Sequence, residues 1–225
     1  MIRQLILDLP AAPRLGRADF CVSPANALAL ATIDSWPDWP NRKMVLTGPH
    51  GSGKSHLAQI WALDAKATVV AASTLATIDL PLLAACGAVV VEDAETLAGN
   101  SACEAALFHL HNVLEASGSL LVTALSPPRD WGLTLPDLQS RMQAAPLTRL
   151  EAPDDALLAA VLAKLFSDRQ LAVPDALPGY LIARMERSIA AARALVDALD
   201  MRSLSQHRPI TRALASEILE SHDPE

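Results

Sequence analysis

The sequence is poor in cysteine and in basic residues. Its three cysteines include no CxxC pair, which argues against both a disulfide framework and a zinc site. Lys and Arg number 18 against 25 Asp and Glu, giving a formal charge of −7. No overall positive field therefore attracts phosphate backbones or anionic lipid. Since the sequence also shows no local basic patch, we expect no direct sequence-specific DNA binding.

Long apolar runs are missing as well. No 18 consecutive residues are apolar, and Arg3 and Asp8 interrupt the opening segment, so neither a membrane span nor a signal peptide is predicted. We expect a cytoplasmic protein that makes no membrane contact. Hydrophobic residues nevertheless make up 51% of the 225 residues, which is enough apolar surface to offset the entropy of ordering a core.

Apolar runs and helical patterns alternate through the first two thirds of the chain. Four runs rich in Val or Leu read KMVLTG, ATVVAAS, GAVVVED and GSLLVTAL, and continuous runs of this kind are typical of strands covered on both faces. Leu107, Leu110 and Leu114 share one helical face between the third and fourth runs. Ahead of the first run, Ser23 can cap a helix that begins at Pro24. The alternation predicts an α/β fold with three layers around a mostly parallel sheet.

The strand pattern stops near Glu151, and helical spacing takes over. After a helix that includes Leu158 and Leu165, further helices are predicted around 176–186, 187–203 and 209–220. We therefore divide the chain into a tail over 1–16, an α/β core over 17–150 and a small all-helical domain over 151–225.

The segment GPHGSGKS carries the clearest chemistry in the sequence. It matches the pattern GxxxxGK[ST] and lies between a predicted buried strand and a predicted helix, as a phosphate-binding loop must. Glycines let backbone N–H groups approach the phosphates, Lys54 would meet the β and γ phosphates, and the Ser55 hydroxyl would hold Mg²⁺. The predicted nucleotide-binding residues of this segment are Gly48, Pro49, His50, Gly51, Ser52, Gly53, Lys54, Ser55 and His56.

A second, acidic site is expected at the end of a neighbouring strand, because a bound Mg²⁺ and an attacking water both need carboxylates there. The segment AVVVEDAE supplies candidates. Together with Ser55, Glu92 and Asp93 are the predicted magnesium ligands, and Asp93 or Glu95 would face the water. Magnesium sites of this class usually present Asp first, and the extra methylene of Glu92 displaces its carboxylate.

In their order along the chain, the P-loop and the segments VVVEDAETLAGN, LLVTALSPPRDW and LPDLQSRM resemble the AAA+ module of the bacterial replication initiator DnaA. Within that group they resemble the short Hda-type regulators that inactivate DnaA, over nearly the whole chain. The resemblance implies an AAA+ P-loop core with a helical lid domain, ADP or ATP with Mg²⁺ as ligands, and DnaA as a partner. It includes no counterpart of the DNA-reading domain of DnaA, since the predicted helices end at ESHDPE.

Hda-type proteins also carry a QLxLxL peptide near the N-terminus that binds the polymerase sliding clamp. The segment QLILDL matches it at Gln4, Leu5, Leu7 and Leu9, with Asp8 where proline is common. A short extended peptide with spaced apolar side chains is a reasonable pocket ligand. The resemblance thus implies the sliding clamp of DNA polymerase III as a second partner. The alternative is an edge strand that packs on its own domain.

The resemblance also assigns a role to the serine-arginine pair in LQSRM. Proteins of this AAA+ group place an arginine finger there, which makes Arg141 the candidate. A guanidinium is planar and always charged, so it can neutralise charge on a phosphoryl group transferred across a subunit boundary. The alternative is an ordinary arginine on a helix surface.

Two positions depart from the family pattern. The strand before the PP pair ends in an acidic residue in DnaA and in Hda-type proteins, but in Leu125 here, with Thr123 as a partial substitute two residues earlier. The lid arginine of the family corresponds to Ala190, and Arg187 and Arg193 lie three residues to either side on about the same helical face. Either arginine could reach the nucleotide by a different path, and we include Arg193 among the predicted nucleotide-binding residues. These departures argue against efficient ATP hydrolysis by the protein itself. If neither arginine reaches the nucleotide, the γ-phosphate loses a charged partner and ADP should bind nearly as well as ATP.

With the resemblance, the sequence predicts a negative regulator of replication initiation. Bound to nucleotide and docked on the sliding clamp, it would stimulate hydrolysis of DnaA-bound ATP through Arg141. Two alternatives stay open: a DnaA-related AAA+ ATPase that acts as a helicase loader or transposition helper, and a clamp-bound, nucleotide-dependent scaffold. DNA-stimulated turnover would favour the first, and tolerance of Arg141→Ala the second. The oligomeric state is open, and a homodimer is compatible with the sequence.

Overall fold

The computed structural model describes residues 16–115 and 118–222. The predicted clamp-binding residues at positions 4, 5, 7 and 9 therefore lie outside the described residues. A five-stranded sheet forms the centre of the core, with the order β2-β3-β4-β1-β5 and every neighbouring pair parallel. This confirms the predicted parallel sheet. The strands are β1 (Lys43–Thr47), β2 (Thr68–Ala71), β3 (Ala88–Glu92), β4 (Ser119–Ala124) and β5 (Leu147–Arg149).

Both edges of the sheet differ from the expectation. Strand β2 pairs only with β3 and leaves Val69 37% exposed, so the prediction that this run is covered on both faces was wrong. An edge strand has one neighbour, and less of the surrounding structure covers it. Strand β5 was not predicted, because its three residues contain no apolar run and only Thr148 among them is buried.

Helices cover the sheet on both faces, which confirms the three layers. Successive residues of a strand point to opposite faces. Accordingly Val89 packs in a cluster with Leu107 and Leu138, whereas its neighbour Val90 packs in a second cluster with Leu57. The helices of the core are α1 (Ala27–Asp34), α2 (Lys54–Ala65), α3 (Leu80–Ala84), α4 (Ser101–Val113) and α5 (Pro136–Ala144).

Helix α1 begins three residues later than predicted. The N–H of Ser23 donates to Asn26 Oδ1 at 2.8 Å, and the N–H of Ala25 donates to Ser23 Oγ at 3.2 Å. These side-chain bonds close a turn over the residues that were expected to open the helix. The helix therefore starts at Ala27 rather than at Pro24.

The C-terminal part is an all-helical lid with its own apolar cluster, which includes Leu162, Leu181, Leu199 and Leu214. It consists of α6 (Asp155–Asp168), α7 (Leu177–Ile182), α8 (Ile189–Gln206) and α9 (Arg212–His222). No helix within residues 16–115 and 118–222 is long and apolar enough to cross a membrane.

Candidate functional site

The P-loop joins β1 to α2 and closes around its own lysine. Gly53 precedes α2 with a φ of +100°, a conformation that glycine adopts without strain. Lys54 Nζ donates to the carbonyl oxygens of Gly48 at 2.8 Å and Pro49 at 3.0 Å. Burial lowers the pKa of this ammonium, and the nearby carboxylates of the acidic strand end act in the opposite direction. The lysine thus lies on the loop with acidic groups close by.

Two glycines of the loop have no room for a side chain, because other parts of the protein pack against them. A Cβ at Gly51 would lie 1.9 Å from Ser188 Oγ, and one at Gly48 would lie 2.7 Å from the Leu150 carbonyl oxygen. Ser52 Oγ is buried and has no hydrogen-bond partner among the described residues. The unpaired hydroxyl fits a bound phosphate chain. The predicted loop residues are therefore brought together in a geometry that fits a nucleotide.

The acidic strand end lies beside this loop. Glu92 is the last residue of β3, and its Oε1 is buried without a hydrogen-bond partner among the described residues. Asp93 follows in the left-handed region with a φ of +59° and is exposed. No group of three or more His, Cys, Asp or Glu side chains in the described parts of the chain is arranged to hold a metal ion. A magnesium ion here would need Ser55, one of these two carboxylates and oxygen atoms of the nucleotide itself.

Two contacts of the neighbouring strand end were not predicted. Glu95 Oε2 accepts a 3.1 Å hydrogen bond from the N–H of Leu125, the residue that follows β4. The hydroxyl of Thr123 accepts a 3.3 Å bond from the N–H of Asp93. The Glu95 carboxylate therefore lies at the end of β4, and the Thr123 hydroxyl is engaged by the neighbouring backbone. Each contact joins residues 30 positions apart, which no local spacing could reveal.

A segment before α1 connects the first turn of α2 to the lid. His56 Nε2 lies 3.1 Å from the Gly16 carbonyl oxygen, and the His56 ring meets Phe20 edge to face at 5.2 Å. Asp19 Oδ1 lies 2.8 Å from the ammonium of Lys164 on α6. Sequence reasoning missed Asp19, Phe20 and Lys164, since none belongs to a motif. They place His56 at the junction of core and lid.

The lid meets the P-loop at the start of α8. The N–H of Ile189 donates to the Gly51 carbonyl oxygen at 2.8 Å, and Ala190 lies beside the same glycine. Arg187 forms a 2.7 Å ion pair with Asp155 at the start of α6. Burial lowers the pKa of His56, and the positive charge of Arg193 lowers it further. Of the two candidate arginines, Arg193 is therefore near the first turn of α2, whereas Arg187 is paired within the lid.

Arg141 lies on α5 and contacts α4. Its guanidinium carbon is 5.4 Å from the centroid of the Phe108 ring. Its Nη1 lies 3.5 Å from Glu115 Oε1, and the arginine side chain remains 35% exposed. A guanidinium in this position is accessible to a partner molecule, and the described contacts hold it on the surface of its own helix pair.

Residues 155–219 match the family model described as the lid domain of Hda. The fold is similar to that of domain III of the Thermotoga maritima replication initiation protein DnaA, with a TM-score of 0.81 and 18% identity over 95% of this chain and 98% of that chain. It is also similar to AMPPCP-bound DnaA from Aquifex aeolicus, with a TM-score of 0.72 and 17% identity over 86% of this chain and 67% of that chain. A third similar structure is DnaA bound to AMPPCP and single-stranded DNA, with a TM-score of 0.73 and 17% identity over 87% and 68% of the two chains.

Proposed function

We propose that this DnaA-related AAA+ protein with its Hda-type lid is a negative regulator of replication initiation. Bound to nucleotide and docked on the sliding clamp, it stimulates hydrolysis of the ATP held by DnaA, with Arg141 as an arginine finger. The observation that carries the proposal is the match of residues 155–219 to the Hda lid, on a core with the fold of DnaA.

Nucleotide binding is supported by the chain's own geometry and by the relatives. The loop from Gly48 to Ser55 has a buried lysine and an unpaired buried hydroxyl, and two of the similar DnaA structures are bound to AMPPCP. Mg²⁺, when bound, would neutralise phosphate charge. Ser55 with Glu92 or Asp93 would hold the ion, and Lys54 would leave the loop carbonyls to meet the β and γ phosphates.

We propose that the nucleotide acts mainly as a structural ligand. Leu125 offers no acidic side chain at the end of β4, and Ala190 offers no charge at the start of α8. The lid instead contacts the P-loop through the main chain of Ile189. A nucleotide in the loop would therefore fix the junction of core and lid, with little difference between ADP and ATP.

Arg141 would act on the nucleotide of DnaA rather than on that of its own chain. Its side chain is partly exposed on α5, and a charge-stabilising arginine supplied in trans is worth about 10³- to 10⁵-fold in rate in other systems. The peptide at Gln4, Leu5, Leu7 and Leu9 would hold the protein on the clamp, so that the finger is presented at DNA.

The test is single-turnover hydrolysis of ATP preloaded on DnaA, with DNA-loaded clamp and this protein in ADP. Wild type should accelerate hydrolysis and Arg141→Ala should not. The control is Arg129→Ala, which removes another arginine just ahead of α5, with a 75% exposed side chain that pairs with Asp130 at 3.7 Å. That variant should match wild type.

Three other outcomes would count against the proposal. If Arg141→Ala accelerates hydrolysis of DnaA-bound ATP as much as wild type does, Arg141 is not an arginine finger. If neither wild type nor any variant accelerates hydrolysis although each binds the clamp, the protein is a clamp-bound scaffold. Sustained ATP turnover by this protein alone, stimulated by single-stranded DNA, would favour a helicase loader or transposition helper.

A further inference from the structure

The two residues just before helix α5, which carries Arg141, are held by a residue from another helix. Leu135, which precedes the helix, offers no side-chain cap, and Pro136 occupies the first turn. Glu104 Oε2 on α4 instead binds the segment that leads into the helix. It accepts hydrogen bonds from the N–H of Thr134 at 2.9 Å, the hydroxyl of Thr134 at 3.0 Å and the N–H of Leu135 at 2.8 Å.

This carboxylate is fully enclosed. Glu104 is 0% exposed, and its second oxygen, Oε1, is buried without a hydrogen-bond partner among the described residues. Burying a carboxylate is costly unless it is well hydrogen-bonded, and an apolar residue would fill the space at lower cost. An apolar residue could not orient the neighbouring backbone. The three hydrogen bonds to one carboxylate oxygen hold the backbone of residues 134–135 in one position.

The same stretch of α4 also holds the side chain of Arg141. Phe108 lies four residues after Glu104, one turn further along the helix. Its ring lies under the guanidinium, and Glu115, just beyond the end of α4, lies 3.5 Å from Arg141 Nη1. Helix α4 therefore contacts both the segment that leads into α5, through Glu104, and the guanidinium, through Phe108.

We propose that Glu104 is a positioning residue for Arg141. Its carboxylate fixes the start of α5, and thereby the place at which the guanidinium meets the partner's nucleotide. The inference rests on the proposed function, since it assumes that Arg141 acts as a finger. Glu104 itself touches neither nucleotide nor partner and acts only through α5.

The experiment uses the full chain in the single-turnover assay with Glu104→Gln and Glu104→Ala, each alone and combined with Arg141→Ala. The glutamine keeps the shape and one acceptor oxygen but loses the charge, so it preserves the fold if the alanine does not. The control Asp137→Asn removes an exposed carboxylate from the first turn of α5. Thermal melts and affinity for DnaA on the clamp are measured for every variant.

We expect Glu104→Ala to slow stimulated hydrolysis on the order of 100-fold, the loss typical of a misplacement of about 1 Å. Glu104→Gln should slow it by roughly fivefold, since charge-assisted bonds are about twice as strong as neutral ones. Affinity for the partner should stay near that of wild type, and Asp137→Asn should keep its rate. In the Arg141→Ala background neither Glu104 substitution should lower the hydrolysis rate further, because the guanidinium that Glu104 positions is already absent.

The results separate the two proposals. If wild type accelerates hydrolysis, Arg141→Ala does not, and folded Glu104→Gln and Glu104→Ala keep the wild-type rate, the inference fails and the proposed function stands. The inference also fails if the Glu104 substitutions reduce affinity for DnaA, or if they lower the hydrolysis rate further in the Arg141→Ala background. Either result would show that Glu104 has a general structural role. If wild type itself gives no acceleration, both proposals fail together.

Discussion

The backbone N–H of Ile189 donates a 2.8 Å hydrogen bond to the carbonyl oxygen of Gly51 in the P-loop. The lid thus contacts the loop through main-chain atoms beside Ala190, whose side chain carries no charge. A contact of this kind carries no net charge, so it gives no preference for a third phosphate. It does tie the position of the lid to the conformation of the loop.

Substituting Gly51 should separate the lid from the loop. A methyl group there would lie 1.9 Å from Ser188 Oγ, on a backbone with a φ of +64°. We expect Gly51→Ala to weaken ADP binding roughly tenfold, a loss of about 1.4 kcal/mol, as measured by titration calorimetry. Gly87→Ala is the matched control, because its φ is +75° but a Cβ there would have no neighbour within 4 Å. Equal ADP affinities of the two variants would contradict the prediction.

The two lid arginines should differ in their effect on nucleotide affinity. Arg193 lies close enough to His56 to influence its pKa, whereas Arg187 pairs with Asp155 at 2.7 Å. We expect Arg193→Ala to weaken ADP binding by roughly fivefold, since one partly exposed charge contributes about 1 kcal/mol, and Arg187→Ala to leave it unchanged. Titration with a fluorescent nucleotide measures both affinities. A loss of affinity in Arg187→Ala alone would show that Arg187, and not Arg193, reaches the nucleotide.

Removing the carboxylate of Glu115 should release Arg141. The pair is loose at 3.5 Å, with side chains that are 61% and 35% exposed, so its loss should cost less than about 0.5 kcal/mol of folding stability. We expect Glu115→Gln to stimulate hydrolysis of DnaA-bound ATP at least as fast as wild type, because the guanidinium leaves its own surface more easily. A rate as low as that of Arg141→Ala would show instead that Glu115 helps to aim the finger.

Lys43 should make stability depend on pH above neutrality. Burial lowers its pKa from 10.5 to about 8, and its ammonium donates to the carbonyl oxygens of Leu114 and Gly118 at 2.9 Å each. Between these pKa values the unfolded chain binds more protons than the folded chain. The free energy of unfolding therefore rises with pH there, by at most about 1.4 kcal/mol per pH unit.

Urea unfolding of wild type and Lys43→Met at several values from pH 7.5 to 10 measures this contribution. Other titrating groups contribute to both proteins and cancel in the difference. The stability of wild type minus that of the variant should increase from pH 8 upward and stay flat below it. A difference that is constant across the range would show that the pKa of Lys43 is not lowered.

The features predicted well from the sequence are those whose residues are close together in the chain. The P-loop consists of eight consecutive residues. Strands β1, β3 and β4 each appear in the sequence as a buried apolar run, because each lies between two other strands of the sheet. The edge strands lacked that signal. Strand β2 has an apolar sequence but lies at an exposed edge of the sheet. Strand β5 belongs to the sheet because it pairs with β1, and its own composition does not indicate a strand.

The unpredicted part of the site consists of long-range contacts. Glu104 reaches Thr134, and Glu95 reaches Leu125, each across 30 residues, and Asp19 reaches Lys164 on the lid. These pairs depend on how segments that are far apart in the chain pack against each other in the folded structure. No periodicity encodes that arrangement, so a buried glutamate on α4 reads in the sequence as one more solvated acid.

The apolar side chains are divided between two sets of clusters. Within the described residues, the clusters of the core include nothing beyond Leu150, and that of the lid includes nothing before Val161. Cooperative units often coincide with contiguous segments that pack within themselves, as the core and the lid do here. Heating should therefore melt the molecule in two calorimetric steps, and a ligand bridging the units should merge those steps into one.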